Sequence, residues 1–195
     1  MDTFNYLNIV LSCLLAIPTV VFAMQILAAA GKDDIPKQHV AKRAGVAILV
    51  PAHNEESIIS STLYSIVSQL NDDDVLLVVA DNCIDSTANL ARKCGAKVIE
   101  RKDVDLRGKG YALDFGLQFL ADNNPPEIVI IIDADCDLSS NCIDILAQQA
   151  KSEQRPVQAL YLMQAPENKS ITQAIAEFAW VVKNHVRPLG LKKMG

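Results

Sequence analysis

The chain has 195 residues, half of them hydrophobic, with a formal net charge of −5. That length supports one core of ordinary size, or a domain with an appendage. The acidic balance, with no basic stripe interleaved with aromatics, speaks against nucleic acid as a partner.

The first element is apolar. From Ile9 to Ala30 no residue is charged, and the run matches the roughly 20 residues that a bilayer-spanning helix needs. Residues 1–30 therefore read as a transmembrane helix. A cleaved signal peptide would need a basic start, whereas the chain opens Met1-Asp2-Thr3 with no Lys or Arg before Lys32. A buried core helix would be shorter and less uniformly apolar. Lys32, Lys37, Lys42 and Arg43 follow the run and only Asp2 precedes it, so the positive-inside rule puts the remainder in the cytoplasm, behind a single span of the cell membrane. Residues 31–45, polar and containing Pro36, read as a linker. Five cysteines, Cys13, Cys83, Cys94, Cys136 and Cys142, show no paired zinc spacing and fit free thiols in a reducing compartment.

From Val46 the pattern becomes regular. "VAILV" (46–50) is a strand covered on both faces, closed by Pro51, and residues 55–70 carry Ile58, Ile59, Leu63, Ile66, Val67 and Leu70 at helical spacing. "VLLVVA" (75–80) is a second strand, "DSTANLARKCG" a helix ending on Gly95, and "KVIE" (97–100) a third strand. The next helix carries Ala112, Leu113, Phe115, Leu117 and Leu120 on its apolar side, and Pro125-Pro126 stop it before "IVIIIDADCD" (128–137). "PVQALYLMQAP" (156–166) reads as a further strand and residues 170–190 as an apolar-faced helix. The alternation predicts an α/β fold, Rossmann-like, with a mainly parallel sheet and helices on both faces. Ligands of such sheets bind beyond the carboxyl ends of the strands. There the chain reads "PAHNEE", "DNCIDS" and "DADCD", polar and mostly acidic, which suits a metal and a hydroxyl-rich or amide-bearing ligand.

Asp133 and Asp135 suit Mg2+ or Mn2+, hard cations that sit between carboxylates and a diphosphate and would offset the crowding of acids at one strand end. An isolated Asp-x-Asp is more often a strand reaching water; its position after the fourth strand of an α/β set favours the metal. Asp81 can accept a hydrogen bond from a base imide N–H or cap the loop that follows, although Asp85 and Ser86 are better placed for capping. Asn54 and Glu55 fit either a ligand pocket or a helix start. His53 has no nucleophile to pair with and reads alone as structural. In "RGKG" (107–110), cations between glycines precede a helix, suiting a diphosphate or a solvated turn.

Together, "VPAHNEE" (50–56), "ADNCIDST" (80–87), "RGKGYAL" (107–113) and "IIDADC" (131–136) resemble the family 2 glycosyltransferases, inverting enzymes with a GT-A nucleotide-sugar-binding domain. The resemblance covers nearly everything from Val46 onward and implies a nucleotide diphosphate sugar, usually a UDP-sugar, held across this edge. It implies that Pro51, Ala52, His53 and Glu55 line the nucleoside pocket, that Asp81 contacts the base, and that Lys109 and Arg107 face the diphosphate or base region. Asp133 and Asp135 would be the metal-binding pair, Asp133 also meeting the donor. A membrane helix before such a domain is similar to members that build polysaccharides or glycolipids, so the implied acceptor is a glycan or lipid. Inversion needs a general base. The family's base and its Gln-x-x-Arg-Trp acceptor motif do not occur before Gly195, and Glu177 reads as a solvent-facing helix residue. Residues 46–195 are thus expected to be the donor-binding portion of a longer transferase, with the base beyond Gly195. The alternatives are a non-catalytic nucleotide-sugar-binding or assembly subunit and, disfavoured by "PAHNEE" where a Gly-rich basic loop would stand, a nucleotidyltransferase.

Overall fold

The computed structural model describes residues 3–31, 43, 45–164 and 168–195, so that most of the expected linker lies outside the described residues. The chain divides into two units, Gln38–Ala159 and a second one formed by Met1–Lys37 with Leu160–Gly195.

Helix α1 (Thr3–Ala29) is the apolar run, long and apolar enough to cross a bilayer. The central unit follows the predicted alternation. Its elements are β1 (Ala47–Ala52), α2 (Ile59–Val67), β2 (Val75–Asp81), α3 (Thr87–Lys93), β3 (Lys97–Arg101), α4 (Lys109–Asp122), β4 (Val129–Ile131) and α5 (Cys142–Glu153). The strands form one parallel sheet in the order β3-β2-β1-β4.

Period-2 side-chain alternation divides the core into two layers. Ile48, Val50, Leu76 and Val78 face one way and pack with Ile59, Leu63 and Ile66 of α2, Ala91 of α3 and Ile143 of α5. Ala47, Leu49, Leu77 and Val79 face the other way and meet Ala112 and Leu120 of α4. Helices therefore cover both faces, which is why β1 and β2 read as unbroken apolar runs. The face of α4 differs from the expected one: Phe115 and Leu117 are exposed, and the contact is made by Ala112, Gly116 and Leu120. Gly116 accounts for the difference. A Cβ there would stand 2.5 Å from Leu49 Cδ1 and 2.9 Å from Val79 Cγ2, so the helix lies too close to the sheet for larger side chains.

Pro51 does not close β1, which runs on to Ala52. Leu49 accepts from the Ile132 N–H at 3.1 Å, so the backbone groups of residues 49 and 51 point toward β4. That strand has already ended at Ile131. The N–H that proline lacks therefore has no ladder partner to miss. Nor does the acid-rich segment stay extended. β4 spans three residues, and a turn closed by Cys136 N–H on the Asp133 carbonyl at 3.2 Å follows it. The strand expected over 156–166 is absent among the described residues, where 156–164 carries no regular structure; an apolar run becomes a strand only beside a partner that takes its backbone bonds.

At the amino-terminal edge of the sheet, Arg43 Nη1 and Nη2 donate to Asp74 Oδ1 and Oδ2 at 2.6 and 2.7 Å, and Arg43 also pairs with Asp144. Asp74 further accepts from the Val46 and Asn71 N–H groups at 3.0 and 2.7 Å.

In the other unit, Ser170 and Gln173 form a capping box that opens α6 (Ile171–Val181). A π-helical turn at Val182–Val186 leads into α7 (Arg187–Met194). Glu177 pairs with Lys169 and is half-buried, its side chain 28% exposed, while Ile171, Ile175 and Phe178 of the same helix are exposed. Helix α7 packs on α1, where a Cβ on Gly190 would fall 2.0 Å from the Gln25 carbonyl oxygen, and Arg187 Nε donates to Gln25 Oε1 at 3.0 Å. Among the described residues no disulfide forms.

Candidate functional site

The strand order reverses between β1 and β4: from β1 the chain moves outward through β2 to β3, then returns through α4 to β4 on the other side. Such a switch point leaves a crevice at the carboxyl ends, since the connecting segments depart in opposite directions. A cleft of about 730 Å3 occupies this edge. Pro51, Ala52, His53 and Glu55 line it from β1, Asp81 from β2, Arg107 and Lys109 from the start of α4, and Asp133 and Asp135 from the end of β4. These nine residues, expected to bind the donor or the metal, thus line one cavity, together with Asn54, Asn82, Ile84 and Val104.

The loops after β1 and β2 are tied to each other. Glu55 N–H donates to Thr87 Oγ1 at 2.8 Å, Glu56 N–H to Asp85 Oδ2 at 3.1 Å, and Ser86 N–H to Glu56 Oε2 at 3.0 Å. Asp85 also takes the Thr87 N–H at 3.0 Å, whereas Ser86, at the N-cap of α3, makes no side-chain cap bond. Burial pushes the Asp85 carboxyl up, but its bonds from Thr87 and Glu56 outweigh this and hold it below the usual range. Asp85 is therefore the capping residue, and Asp81 is left to the cleft.

Asn54 and Asn82 have φ of 55° and 52°, a left-handed conformation that Asn tolerates better than most residues. Their side chains hold the loops in that shape. Asn54 Oδ1 accepts from Ile84 N–H at 2.9 Å, and Asn82 Oδ1 from Asp103 N–H at 2.9 Å. His53 Nδ1 lies 2.7 Å from the Asp81 carbonyl oxygen, which can only accept, so Nδ1 carries the hydrogen. The ring braces the β1 loop against the end of β2.

Asp81 is buried, and its Oδ1 accepts from Arg101 Nη1 at 2.8 Å and from Asn82 Nδ2 at 3.1 Å. Across the cleft Lys109 pairs with Asp133, both side chains about half exposed. One oxygen each of Asp133 and Asp135 and the Cys136 sulfur lie within 4.8 Å of one another. Two hard carboxylate oxygens this close together, open to the cleft, suit a divalent cation. The Lys109 ammonium supplies positive charge to the Asp133 carboxylate. Gly108, with φ 118°, adopts a conformation open to glycine and precedes α4, whose first N–H groups have no acceptor within the helix.

The profile of Glycosyl transferase family 2 matches residues 47–181, well over half of the chain. The chain belongs to this family. A curated relative, the 4,4'-diaponeurosporenoate glycosyltransferase of Staphylococcus aureus (strain USA300), is 42% identical over 66 residues, or 34% of this family 2 chain and 17% of that protein. Among solved structures, mannosyltransferase PcManGT from Pyrobaculum calidifontis, in complex with GDP-Man and Mn2+, aligns with a TM-score of 0.56 and 23% identity over 79% of this chain and 45% of that one. Glucosyl-3-phosphoglycerate synthase from Mycobacterium tuberculosis, in complex with UDP, aligns with a TM-score of 0.49 and 24% identity over 77% of this chain and 56% of that one. The match to the mannosyltransferase is one of fold, the GT-A arrangement of a parallel sheet with helices on both faces. This family 2 chain spans about half of the solved relatives and less than a fifth of the curated one.

Sequence pattern alone ends the third strand at Glu100 and passes over Arg101. A signal for it exists: β2 and β3 are neighbours, and Asp81 and Arg101 are register partners at their ends. An acid and a base at matching strand ends meet across the ladder.

Proposed function

We propose that this family 2 chain binds a nucleotide diphosphate sugar, a UDP-sugar, as the donor-binding part of a membrane-anchored, inverting glycosyltransferase that builds a polysaccharide or cell-envelope glycan on a glycan or lipid acceptor. The observation that carries the reading is the convergence of Asp81, Lys109, Asp133 and Asp135 from β2, α4 and β4 on one cleft at the switch point. Asp81 offers an acceptor to a base imide N–H. Strand β1 lies between β2 and β4, so two strand spacings, roughly 10 Å, part that acceptor from the cationic and metal-binding end. A nucleoside diphosphate, with a base at one end and charge at the other, suits such a division. Pro51, Ala52, His53 and Glu55 form the wall between them, and Arg107 and Lys109 attract the diphosphate at the start of α4.

Asp133 and Asp135 would hold Mg2+ or Mn2+, which when bound neutralises charge on the departing diphosphate. In this proposal residues 1–30 anchor the chain, 31–45 link it to the membrane on the cytoplasmic side, and 46–195 form the donor-binding domain.

The test is calorimetric titration of the full chain, in mild detergent, with UDP in the presence and absence of Mn2+. Binding should require the cation and vanish in Asp135→Ala. Asp135 is exposed, so this change should leave unfolding within about 0.5 kcal/mol of the wild type. A folded protein with no UDP binding, or with binding indifferent to Mn2+ and to Asp135, would count against the reading.

A further inference from the structure

Arg101 does not line the cleft, yet it is the most constrained cation near it. Its side chain is 10% exposed and that of Asp81 is 7% exposed. The guanidinium lies between two carboxylates, with Nη1 on Asp81 Oδ1 at 2.8 Å and Nη2 on Asp103 Oδ2 at 3.1 Å. It also stands over the Tyr111 ring, 5.6 Å from the centroid, a stacking contact suited to its planar group. Asp103 is itself fixed, since its Oδ1 accepts from the Asp105 and Leu106 N–H groups at 3.0 and 2.9 Å. Arg101 is therefore anchored at Asp103 and Tyr111, and its remaining arm reaches Asp81.

Both hydrogen bonds on Asp81 fall on Oδ1. That leaves Oδ2 as the acceptor for a group entering the cleft, and the position of Oδ2 follows from where Arg101 holds Oδ1. We infer that Arg101 is the positioning residue for base recognition: it fixes the Asp81 carboxylate so that Oδ2 meets a ring N–H, favouring uracil over cytosine, whose N3 carries a lone pair in place of a hydrogen. The inference rests on the nucleotide-sugar reading above. Arg101 contributes nothing to the diphosphate end, because its donors are directed to Asp81 and Asp103 and the metal-binding pair lies at the end of a different strand. Its loss should therefore be felt by the base alone, a pattern that general loosening of the fold would not give.

The experiment is titration of the full chain with UDP, CDP and inorganic pyrophosphate, each with Mn2+, for the wild type, Arg101→Gln and Arg101→Lys, with a thermal melt of each. Arg101→Gln should weaken UDP about tenfold or more, as loss of a charge-assisted contact implies. It should also narrow the preference for UDP over CDP and leave pyrophosphate unchanged. Arg101→Lys keeps the charge but cannot span two carboxylates with one ammonium, and should fall between. Unchanged UDP binding in Arg101→Gln overturns the inference, as does an equal loss of UDP and pyrophosphate. If Arg101→Gln melts below the assay temperature, Arg101→Lys serves for the same comparison. A wild type that binds pyrophosphate but neither nucleotide overturns the nucleotide reading itself, and the role of Arg101 with it.

Discussion

Removing the Asp74 carboxylate should destabilise the central unit severely, although it lies at the far edge of the sheet from the cleft. The Arg43 and Asp74 side chains are 4% and 0% exposed. Asp74→Ala takes the bidentate partner from the guanidinium, which keeps Asp144, itself 47% exposed, and a long 3.4 Å contact to the Gln69 carbonyl, and strands the Val46 N–H, whose residue is buried. Breaking a buried ion pair by removing one partner costs about 3–5 kcal/mol. The lost acceptor for Val46 puts the expected value at the upper end of that range. The joint change Arg43→Met with Asp74→Leu should recover part of the loss, since it removes the buried guanidinium left without Asp74, while the Val46 N–H stays without its acceptor and Asp144, 47% exposed, turns to water. Acid should act like the mutation. Burial pushes the Asp74 carboxyl up, but the Arg43 bond and the N–H groups of Asn71 and Val46 outweigh it and hold the carboxyl below its ordinary value of 3.8. Stabilisation from a depressed carboxyl is complete above the unfolded value and is lost as pH falls through the folded one. The contribution should therefore hold from neutral pH to about 4 and fade below it. Urea unfolding followed by circular dichroism at pH 7 and pH 3 measures both effects. An Asp74→Ala protein within about 1 kcal/mol of the wild type at pH 7 would refute the account, because a cost that small belongs to an exposed pair.

Gly116→Val should lower stability by about 1–3 kcal/mol through overpacking, because Leu49 and Val79, which its Cβ would meet, are themselves fully buried; thermal melting reads this directly. Lys109→Ala should cost less than about 1 kcal/mol of stability, as its pair with Asp133 is half exposed, while weakening UDP and tightening Mn2+ alone; calorimetry with each ligand separates the two. Gly190→Val should part α7 from α1, where no room exists beside the Gln25 carbonyl, and faster limited proteolysis near Arg187 would show it.

The sheet was readable because β1 and β2 are covered on both faces and so are written as unbroken apolar runs, each followed by polar residues that form the cleft. Contacts between elements were harder to read. Phe115 and Leu117 fit a helical stripe by spacing, but the stripe that meets the sheet is set by Gly116, whose value lies in the atoms it lacks. Arg101 and Arg43 owe their importance to acids 20 and 31 positions away in sequence, a pairing that local patterns do not encode. The run at 156–164 carries the composition of a strand but lacks a paired neighbour, so propensity gave way to backbone bonding. Within the cleft, the carboxylates announced themselves, whereas the left-handed Asn54 and Asn82 that shape its loops looked like ordinary polar residues.

The two outer strands are not equally defended. β3 has Lys97 at one end and Glu100 and Arg101 at the other, charges that discourage a foreign strand from docking. β4 is Val129, Ile130 and Ile131, with Ile131 48% exposed. Its side away from β1 pairs with no strand among the described residues. Concentrated preparations should self-associate along this side. Ile131→Lys should suppress the association in light scattering, giving a simple handle on the solution behaviour of the protein.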